Sequence, residues 1–212
     1  MARIETQNKL QEQRLRISRD LHDNIGAQLT FIISSIDNLK FGFTDMGEKL
    51  GNKLSNISNF TSQTIYELRD TIWAMNKENI TFEDLQIRIA NFIEHAKNAS
   101  EKIEFSFNID NDVEVDHLFS SVEGMNIYRI IQEAINNALK HAAADEIEVN
   151  ISKEGNQYQI EIIDNGKGFE HNHAEIGNGL NNMKKRAGEM GGELNIISKA
   201  HKGTVVLLKL PI

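Results

Sequence analysis

Apolar side chains in the first third of the chain recur at helical spacing. One stripe begins near Leu10 and comprises Ile17, Leu21, Ile25, Leu29, Ile32 or Ile33, Ile36 and Leu39. A period of about 3.6 residues predicts an amphipathic helix over residues near 5–43. A second stripe, from about Glu48 to Met75, comprises Leu54, Ile57, Phe60 or Thr61, Thr64, Leu68, Ile72 and Met75. Residues 41–47 interrupt the pattern and predict a turn, so the two helices form an antiparallel hairpin.

A lone hairpin cannot enclose both apolar stripes. We therefore expect two copies of the chain to pair as a dimeric four-helix bundle, which makes the protein a homodimer. The alternative is an intramolecular core in which the hairpin packs on the C-terminal part of the chain, and the spacing alone leaves it open.

The remainder of the chain alternates helical and strand patterns. Residues 76–81 are polar and predict a hinge, and a helix is expected near 82–100. A second helix passes through Asn137, and a third begins at Gly179. Strands are expected near 103–109, 146–152, 157–163, 193–198 and 204–210. The predicted fold class is thus α + α/β: a helical domain at 1–77, then a two-layer α/β sandwich at 78–212 with an antiparallel or mixed sheet covered on one face by helices.

Composition narrows the classes of function. The net charge of -8 and the pI near 5.4 argue against direct nucleic-acid binding, because a phosphate backbone calls for a basic face. The sequence contains no Cys, which excludes disulfides and thiolate zinc sites. No apolar stretch is long enough to cross a membrane, and the N-terminus lacks a signal-peptide core.

His22 lies beside the first apolar stripe rather than in it. In a regular helix Ser18 and Gly26 flank it one turn away, and the missing Cβ of Gly26 leaves room for a triphosphate to approach. Neutral imidazole can attack phosphorus, and Asp23 can hold the ring tautomer and accept the departing proton. The alternative is an ordinary exposed helix histidine.

The helix through Asn137 carries a second set of polar groups. Glu133, Asn137 and His141 follow one another at intervals of four residues and so share one helix face. An Asn carbonyl can ligate Mg²⁺ while water and phosphate oxygens complete the octahedron, and Lys140 supplies a charge for phosphates. The alternative is that Asn136 and Asn137 are only solvated helix residues.

Two glycine-containing segments follow downstream. Asp164 ends an alternating strand and is followed by Gly166 and Gly168, which let the backbone approach a ligand while the carboxylate accepts from an adenine amino group. The run Gly177-Asn178-Gly179-Leu180 opens a helix whose free backbone amides suit anionic phosphate. Each segment alone is weak, since such turns are common, but their order after a histidine helix is much more specific. Residues 170–176 are polar and predict a lid, and His171 and His173 are interpreted as exposed loop residues rather than metal ligands.

Over almost its whole length the chain resembles the sensor histidine kinases, in the subfamily that pairs with response regulators bearing LuxR-like DNA-binding domains. The run Asp20-Leu21-His22-Asp23 resembles the phosphoacceptor box, and Asn137-Ala138-Leu139-Lys140-His141 resembles the N box. Asp164 through Phe169 resembles the G1 box, Gly177 through Leu180 the G2 box, and Gly203-Thr204-Val205 the start of the last strand.

The resemblance implies a role for each matched residue. His22 is the phosphoacceptor and Asp23 the activating acid, Asn137 is the magnesium ligand with Glu133 beside it, and Asp164 reads adenine. The implied ATP-binding set comprises Asn137, Lys140, His141, Asp164, Gly166, Gly168, Gly177, Gly179, Leu180 and Thr204. The cofactors implied are ATP and Mg²⁺, bound by a Bergerat-type domain, and the partner implied is the receiver domain of a response regulator. The family also implies a cytoplasmic location, with a sensor region ahead of the first helix as the route to any membrane.

One departure concerns dephosphorylation. Many members of this subfamily carry Gln five residues after the phosphoacceptor histidine, where it is thought to position water for dephosphorylating the regulator. Here that position is Ala27, and the glutamine is Gln28. A displacement of one residue swings a helical side chain by about 100°, so Gln28 reaches the same place only with a local distortion. We therefore predict that this protein dephosphorylates its phosphorylated regulator only weakly.

Three functions are compatible with these residues. The favoured one is an ATP-dependent histidine autokinase that charges His22 and passes the phosphoryl group to an aspartate of the regulator. A second is an ATPase of the gyrase and chaperone type, which hydrolyses ATP with water and does not need His22. A third is a dimeric scaffold that binds nucleotide without chemistry. Substitution of His22 distinguishes the autokinase from the ATPase, because only the autokinase needs this residue.

Overall fold

The computed structural model describes residues 2–43, 47–100, 102–169 and 178–212; for residues 2–8, 10 and 178 it describes the backbone only. The chain divides into two compact units, Met1–Glu78 and Asn79–Ile212. Within the described residues no helix is long and apolar enough to cross a membrane.

The first unit is helical throughout. Helix α1 (Ala2–Asp20) continues through a π-helical segment (Leu21–Gly26), here named π1, into α2 (Ala27–Gly42), and α3 (Glu48–Met75) packs against α2. The predicted second helix is confirmed at both ends, and the predicted first helix is confirmed except that π1 interrupts it. The predicted turn includes residues 44–46, which lie outside the described residues.

Burial in the first unit is sparse. Its described residues that are buried are Ser18, Ile36, Thr61, Asp70 and Ala74. Large apolar residues stay exposed on both helices, among them Phe31, Phe41, Leu50 and Phe60. The hairpin by itself leaves much of its hydrophobic face uncovered, and exposed apolar surface of this extent is unfavourable in water.

The second unit is a mixed sheet with helices. Its elements are β1 (Asn79–Thr81), α4 (Phe82–Ala99), β2 (Glu104–Ile109), β3 (Leu118–Ser120), α5 (Ser121–Asn137), a second π-helical segment π2 (Ala138–Ala142), β4 (Glu146–Glu154), β5 (Gln157–Asp164), α6 (Asn178–Glu189), β6 (Glu193–Ser198) and β7 (Thr204–Pro211). Five strands form one sheet in the order β2-β4-β5-β7-β6, in which β2 is parallel to β4 and the other pairs are antiparallel. The predicted mixed sheet and two-layer arrangement are confirmed.

Strand alternation and helix capping explain this unit. Along β5 every second residue is buried, from Tyr158 to Asp164, so one face of the sheet carries the core. Helices α4 and α5 each begin with a capping box, in which Thr81 pairs with Asp84 and Ser120 pairs with Glu123. Ile127 is among the fully buried side chains of α5.

A two-stranded sheet formed by β1 and β3 was not expected from the sequence. Residues 79–81, which the sequence assigned to the hinge, pair antiparallel with β3, with Ile80 opposite Phe119. Ile80 is fully buried, and a Cβ on Gly124 would lie 2.8 Å from its Cδ1. The polar connection between the units is therefore shorter than predicted, because the second half of the predicted hinge belongs to the second unit.

Candidate functional site

His22 lies in π1 with its imidazole ring open to solvent. The His22 Nδ1 and Asp23 Oδ1 atoms are 3.1 Å apart, and the two side chains are 68% and 65% exposed. A carboxylate can accept a hydrogen bond from a protonated Nδ1, and in the neutral tautomer with that proton Nε2 keeps its lone pair. In that tautomer the ring presents a nucleophilic nitrogen to solvent. Asp23 makes the contact that its predicted role requires, and the role itself stays a prediction.

The surroundings of His22 differ from a regular helix. Ser18 was expected to share the exposed face of His22, but Ser18 is buried. A π-turn closes over five residues instead of four, so Gly26 does not stack one regular turn above His22. The expected open space is nevertheless there, because a Cβ on Gly26 would meet nothing within 4 Å. The N–H of Ala27 donates to the Asn24 carbonyl where α2 begins.

The helix that carries Asn137 changes geometry directly after that residue. Glu133 and Asn137 lie one turn apart on α5, and both are partly exposed. His141 and Lys140 instead lie in π2, and both are exposed. The prediction that His141 continues the face of Glu133 and Asn137 stays untested, because the helix changes from α to π geometry between Asn137 and His141.

Asp164 ends β5 with its carboxylate buried. Its Oδ1 accepts from the backbone N–H of Gly166 at 2.9 Å, and no other described residue donates to its side chain. Gly166 packs on the end of π2: a Cβ there would lie 2.4 Å from the Ala142 carbonyl oxygen, and Lys167 N–H donates to that oxygen at 2.8 Å. The first glycine is required by close packing of two backbones.

The second glycine of this loop meets the turn between β6 and β7. Gly168 has φ +58°, and a Cβ there would lie 2.1 Å from the Lys199 carbonyl oxygen. Gly203 has φ +74°, and its Cβ would lie 1.9 Å from the carbonyl oxygen of Asp164. Both positions combine a left-handed backbone with a contact that leaves no room for a side chain. Glycine is therefore needed at position 168, in the loop after Asp164, and at position 203, directly before the strand that pairs with Asp164.

Thr204 lies directly opposite Asp164 in the pairing of β5 with β7. Its hydroxyl is 3.0 Å from that of Ser198, which also accepts from Phe169 N–H at 2.9 Å. Ser198 thus joins the loop after Asp164 to the last strand. Sequence reasoning missed Ser198, because only the β6–β7 register places it beside Thr204.

The start of α6 lies against α5. A Cβ on Gly179 would fall 2.1 Å from Oε1 of Glu133, so this glycine makes room for that carboxylate. Gly177 lies outside the described residues, as does the predicted lid with His171 and His173. Leu180 is in the first turn of α6 and is partly buried.

A polar network fixes α6 to α5 further along. Arg186 donates to Asn126 Oδ1 at 2.9 Å, and Asn126 donates to Glu189 at 3.3 Å. Asn126 is buried, so the pairing satisfies a polar group that would otherwise be costly.

The groups around Asp164 fit an adenine nucleotide. Asp164 offers a buried carboxylate with an oxygen that can still accept a hydrogen bond. The backbones packed around it belong to glycines, which carry no Cβ, so a planar base with an amino group fits there. Asn137 and Glu133 would hold Mg²⁺ together with phosphate and water oxygens, a mode in which that ion uses few protein ligands. The described residues contain no group of three or more His, Cys, Asp or Glu side chains that could hold a metal ion.

Two protein-family models match the chain. The model described as "Histidine kinase" matches residues 13–79, and the model described as "Histidine kinase-, DNA gyrase B-, and HSP90-like ATPase" matches residues 123–212. The chain is also 27% identical over 204 residues to the sensor histidine kinase LiaS of Bacillus subtilis, across 96% of this chain and 55% of that protein. The chain thus spans about half the length of this curated relative.

Solved structures show the same fold. The histidine kinase domain of the blue-light activated histidine kinase of Erythrobacter litoralis aligns with a TM-score of 0.55 and 17% identity, covering 87% of this chain and 94% of that one. The catalytic domain of the histidine kinase ThkA aligns with a TM-score of 0.51 and 16% identity, covering 63% of this chain and 93% of that one. Since the two family models match the histidine helix and the nucleotide-binding segments in turn, the chain belongs to the sensor histidine kinase family.

Proposed function

We propose that this protein is an ATP-dependent histidine autokinase that phosphorylates His22 and transfers the phosphoryl group to an aspartate of a response regulator. The observation that carries the proposal is the exposed imidazole of His22, with Nδ1 held by Asp23 at 3.1 Å. A covalent phosphoryl carrier has to be reached by two different partners in turn, and a buried ring could serve neither.

The reaction follows from this geometry. Nε2 of His22 attacks the γ-phosphorus of ATP, the new N–P bond forms as the bond from phosphorus to the bridging oxygen breaks, and ADP leaves. Asp23 accepts the Nδ1 proton as the ring becomes positively charged. Asn137 and Glu133 would supply the protein oxygens for Mg²⁺, which when bound would neutralise charge on the phosphates.

Nucleotide recognition rests on the second unit. Asp164 accepts from the adenine amino group, and the backbones at Gly166, Gly168 and Gly203 form the surface against which the base lies. Lys140 is exposed beside Asn137 and adds positive charge for the phosphates, and Thr204 orients the edge of the pocket opposite Asp164. His141, Gly177, Gly179 and Leu180 complete the proposed nucleotide set.

The exposed apolar residues of the hairpin support a homodimer. Ile25, Ile32 and Leu39 repeat every seven residues along one side of the hairpin, and each is about 40–45% exposed. A repeat of seven is the spacing of helix packing in a four-helix bundle, so a second copy would cover this line. The regulator we propose carries a LuxR-like output domain, and the cytoplasmic location stays a prediction.

The test is labelling with ATP carrying radioactive γ-phosphate. We expect acid-labile, base-stable label on the wild type, none on His22→Gln, and greatly reduced label or nucleotide binding for Asn137→Asp. His95→Gln, at an exposed histidine of α4, is the matched control and should label normally. Retained ATP turnover without protein label in His22→Gln would indicate an ATPase, and nucleotide binding without any chemistry in the wild type would indicate a scaffold.

A further inference from the structure

Helices α5 and α6 touch at places that lie two helical turns apart. At the first, Gly179 of α6 lies so close to the carboxylate of Glu133 on α5 that a Cβ on the glycine would fall 2.1 Å from Oε1. At the second, Arg186 of α6 donates to Asn126 Oδ1 on α5 at 2.9 Å. The spacing between the contacts is seven residues on both helices, from 126 to 133 on α5 and from 179 to 186 on α6.

The equal spacing defines how the two helices align. Seven residues are close to two turns of an α-helix, so the two residues on each helix share one face and lie about 10.5 Å apart along its axis. The later residue of α5 meets the earlier residue of α6, which makes the helices antiparallel there. One alignment therefore satisfies both contacts, and a slip of one turn, about 5.4 Å, would break both.

Apolar packing alone would not select this alignment. Met183 and Ala187 of α6 are each 1% exposed, but burial of apolar surface has no direction and tolerates neighbouring alignments. Asn126 is different, because it is 4% exposed and both ends of its amide are paired. Its Oδ1 accepts from Arg186, and its Nδ2 donates to Glu189 at 3.3 Å. In a slipped alignment that amide would be buried without partners, which is costly.

The hydrogen bonds among Asn126, Arg186 and Glu189 are here named the α5–α6 network. We infer that this network fixes the alignment of α6 on α5 and thereby positions Gly179 and Glu133 at the phosphate end of the nucleotide site. Its members are positioning residues, because they act through that alignment rather than by touching ATP. The inference rests on the proposed function, which puts Glu133 beside Mg²⁺ and Gly179 in the nucleotide set.

The base end of the same site is held by other elements. Asp164 ends β5, which pairs with β7, and its carboxylate accepts from Gly166 N–H at 2.9 Å. Loss of the α5–α6 network should therefore weaken binding of the phosphates and Mg²⁺ and leave binding of the base unchanged. A network that only stabilised the fold would instead affect both ends of the site alike.

The experiment compares two ligands on the full chain. Adenosine carries the base without phosphates, and NMR titration measures its affinity. ADP with Mg²⁺ also engages the phosphate end, and calorimetric titration measures its affinity. For Arg186→Met we expect adenosine affinity within about twofold of the wild type and Mg-ADP affinity lowered roughly tenfold. The initial rate of His22 labelling at saturating ATP should fall roughly 100-fold, the scale expected when a reacting group is displaced by about 1 Å.

Two single substitutions on α6 frame this result. Lys185→Met is the matched control, because it removes an exposed cation from the preceding position, and it should leave both affinities and the labelling rate unchanged. Arg186→Lys keeps a cationic donor on a flexible stem, so it should bind Mg-ADP at least about threefold more tightly than Arg186→Met. No recovery with lysine would show that donation to Asn126 is not what positions α6.

A double variant separates positioning from stability. Asn126→Leu with Arg186→Met replaces both hydrogen-bonding partners by apolar side chains, so no amide is left buried and unpaired. Its free energy of unfolding in urea should return towards the wild-type value. The alignment of the helices would then depend on apolar packing alone, so Mg-ADP affinity should stay as low as in Arg186→Met.

Equal losses of adenosine and Mg-ADP affinity in Arg186→Met would overturn the inference, and so would unchanged affinities for both ligands. Recovery of Mg-ADP affinity together with stability in the double variant would show that the network is only structural. Should the double variant fail to fold, the comparison of Arg186→Met with Arg186→Lys still decides the matter. A wild type that binds both ligands but takes no label on His22 would instead refute the proposed function, so the two failures are distinguishable.

Discussion

The two units of this protein differ in how far their proposed functional residues are exposed. In Met1–Glu78 the ring of His22, the proposed phosphoacceptor, is exposed and much of the apolar surface is uncovered. In Asn79–Ile212 the carboxylate of Asp164, the proposed reader of adenine, is buried and glycine backbones are in close contact around it. A group that must be visited by several partners stays open, whereas a pocket that selects one ligand is preorganised by packing. The difference predicts that substitutions in the two units will affect different properties.

The largest effect is expected where packing in the second unit is tightest. Gly203→Ala adds a Cβ 1.9 Å from the Asp164 carbonyl oxygen at φ +74°, so the free energy of unfolding should fall by at least about 2 kcal/mol, and ATP binding should be lost. Urea unfolding and calorimetric titration with ATP measure the two effects.

A matched control is available for this substitution. Gly155→Ala, at φ +61°, meets nothing within 4 Å and carries only the cost of a left-handed backbone, about 1 kcal/mol, with ATP binding unchanged. Equal losses of unfolding free energy in the two variants would show that backbone strain, rather than close packing around Asp164, accounts for the effect of Gly203→Ala.

An intermediate effect is expected on the exposed line of the first unit. Ile32→Gln keeps helix propensity but removes apolar surface, so we expect the dimer to dissociate roughly tenfold or more readily, with little change in ATP binding. Analytical ultracentrifugation measures the dissociation constant. Ile87→Gln, at an exposed apolar residue of α4, should leave the dimer unchanged, and a weakened dimer there would place the contact on the second unit instead.

The smallest effect is expected at the surface of the second unit. Lys153 lies 2.6 Å from Glu114, and this hydrogen bond holds the pKa of Glu114 below its usual value. A lowered pKa stabilises the fold above the carboxyl's unfolded pKa, and the contribution is lost as pH falls through the folded value. Glu114→Gln should therefore lower the melting temperature slightly at neutral pH and not at all in strong acid. A large change at neutral pH would contradict the view that exposed ion pairs contribute little.

Most elements were predictable because their patterns are local. The apolar period of α3 and the alternation of β5 are each visible within one segment, and both elements were confirmed close to the expected ends. The pair β1 and β3 was not predictable, since three-residue strands carry too little pattern. The π1 segment was not predicted, because an apolar period close to 3.6 residues runs through it without a visible break.

The order of the chemical groups along the chain was determined by the sequence alone: a histidine helix, then an asparagine helix, then an aspartate with glycines. Which groups meet was decided only in three dimensions. Ser198 reaches Thr204, and Gly179 makes room for Glu133, because strand register and helix packing join residues far apart in sequence. The local geometry at His22 and His141 likewise depends on two π-helical segments, which form where the backbone departs from the regular helical period that the sequence pattern indicates.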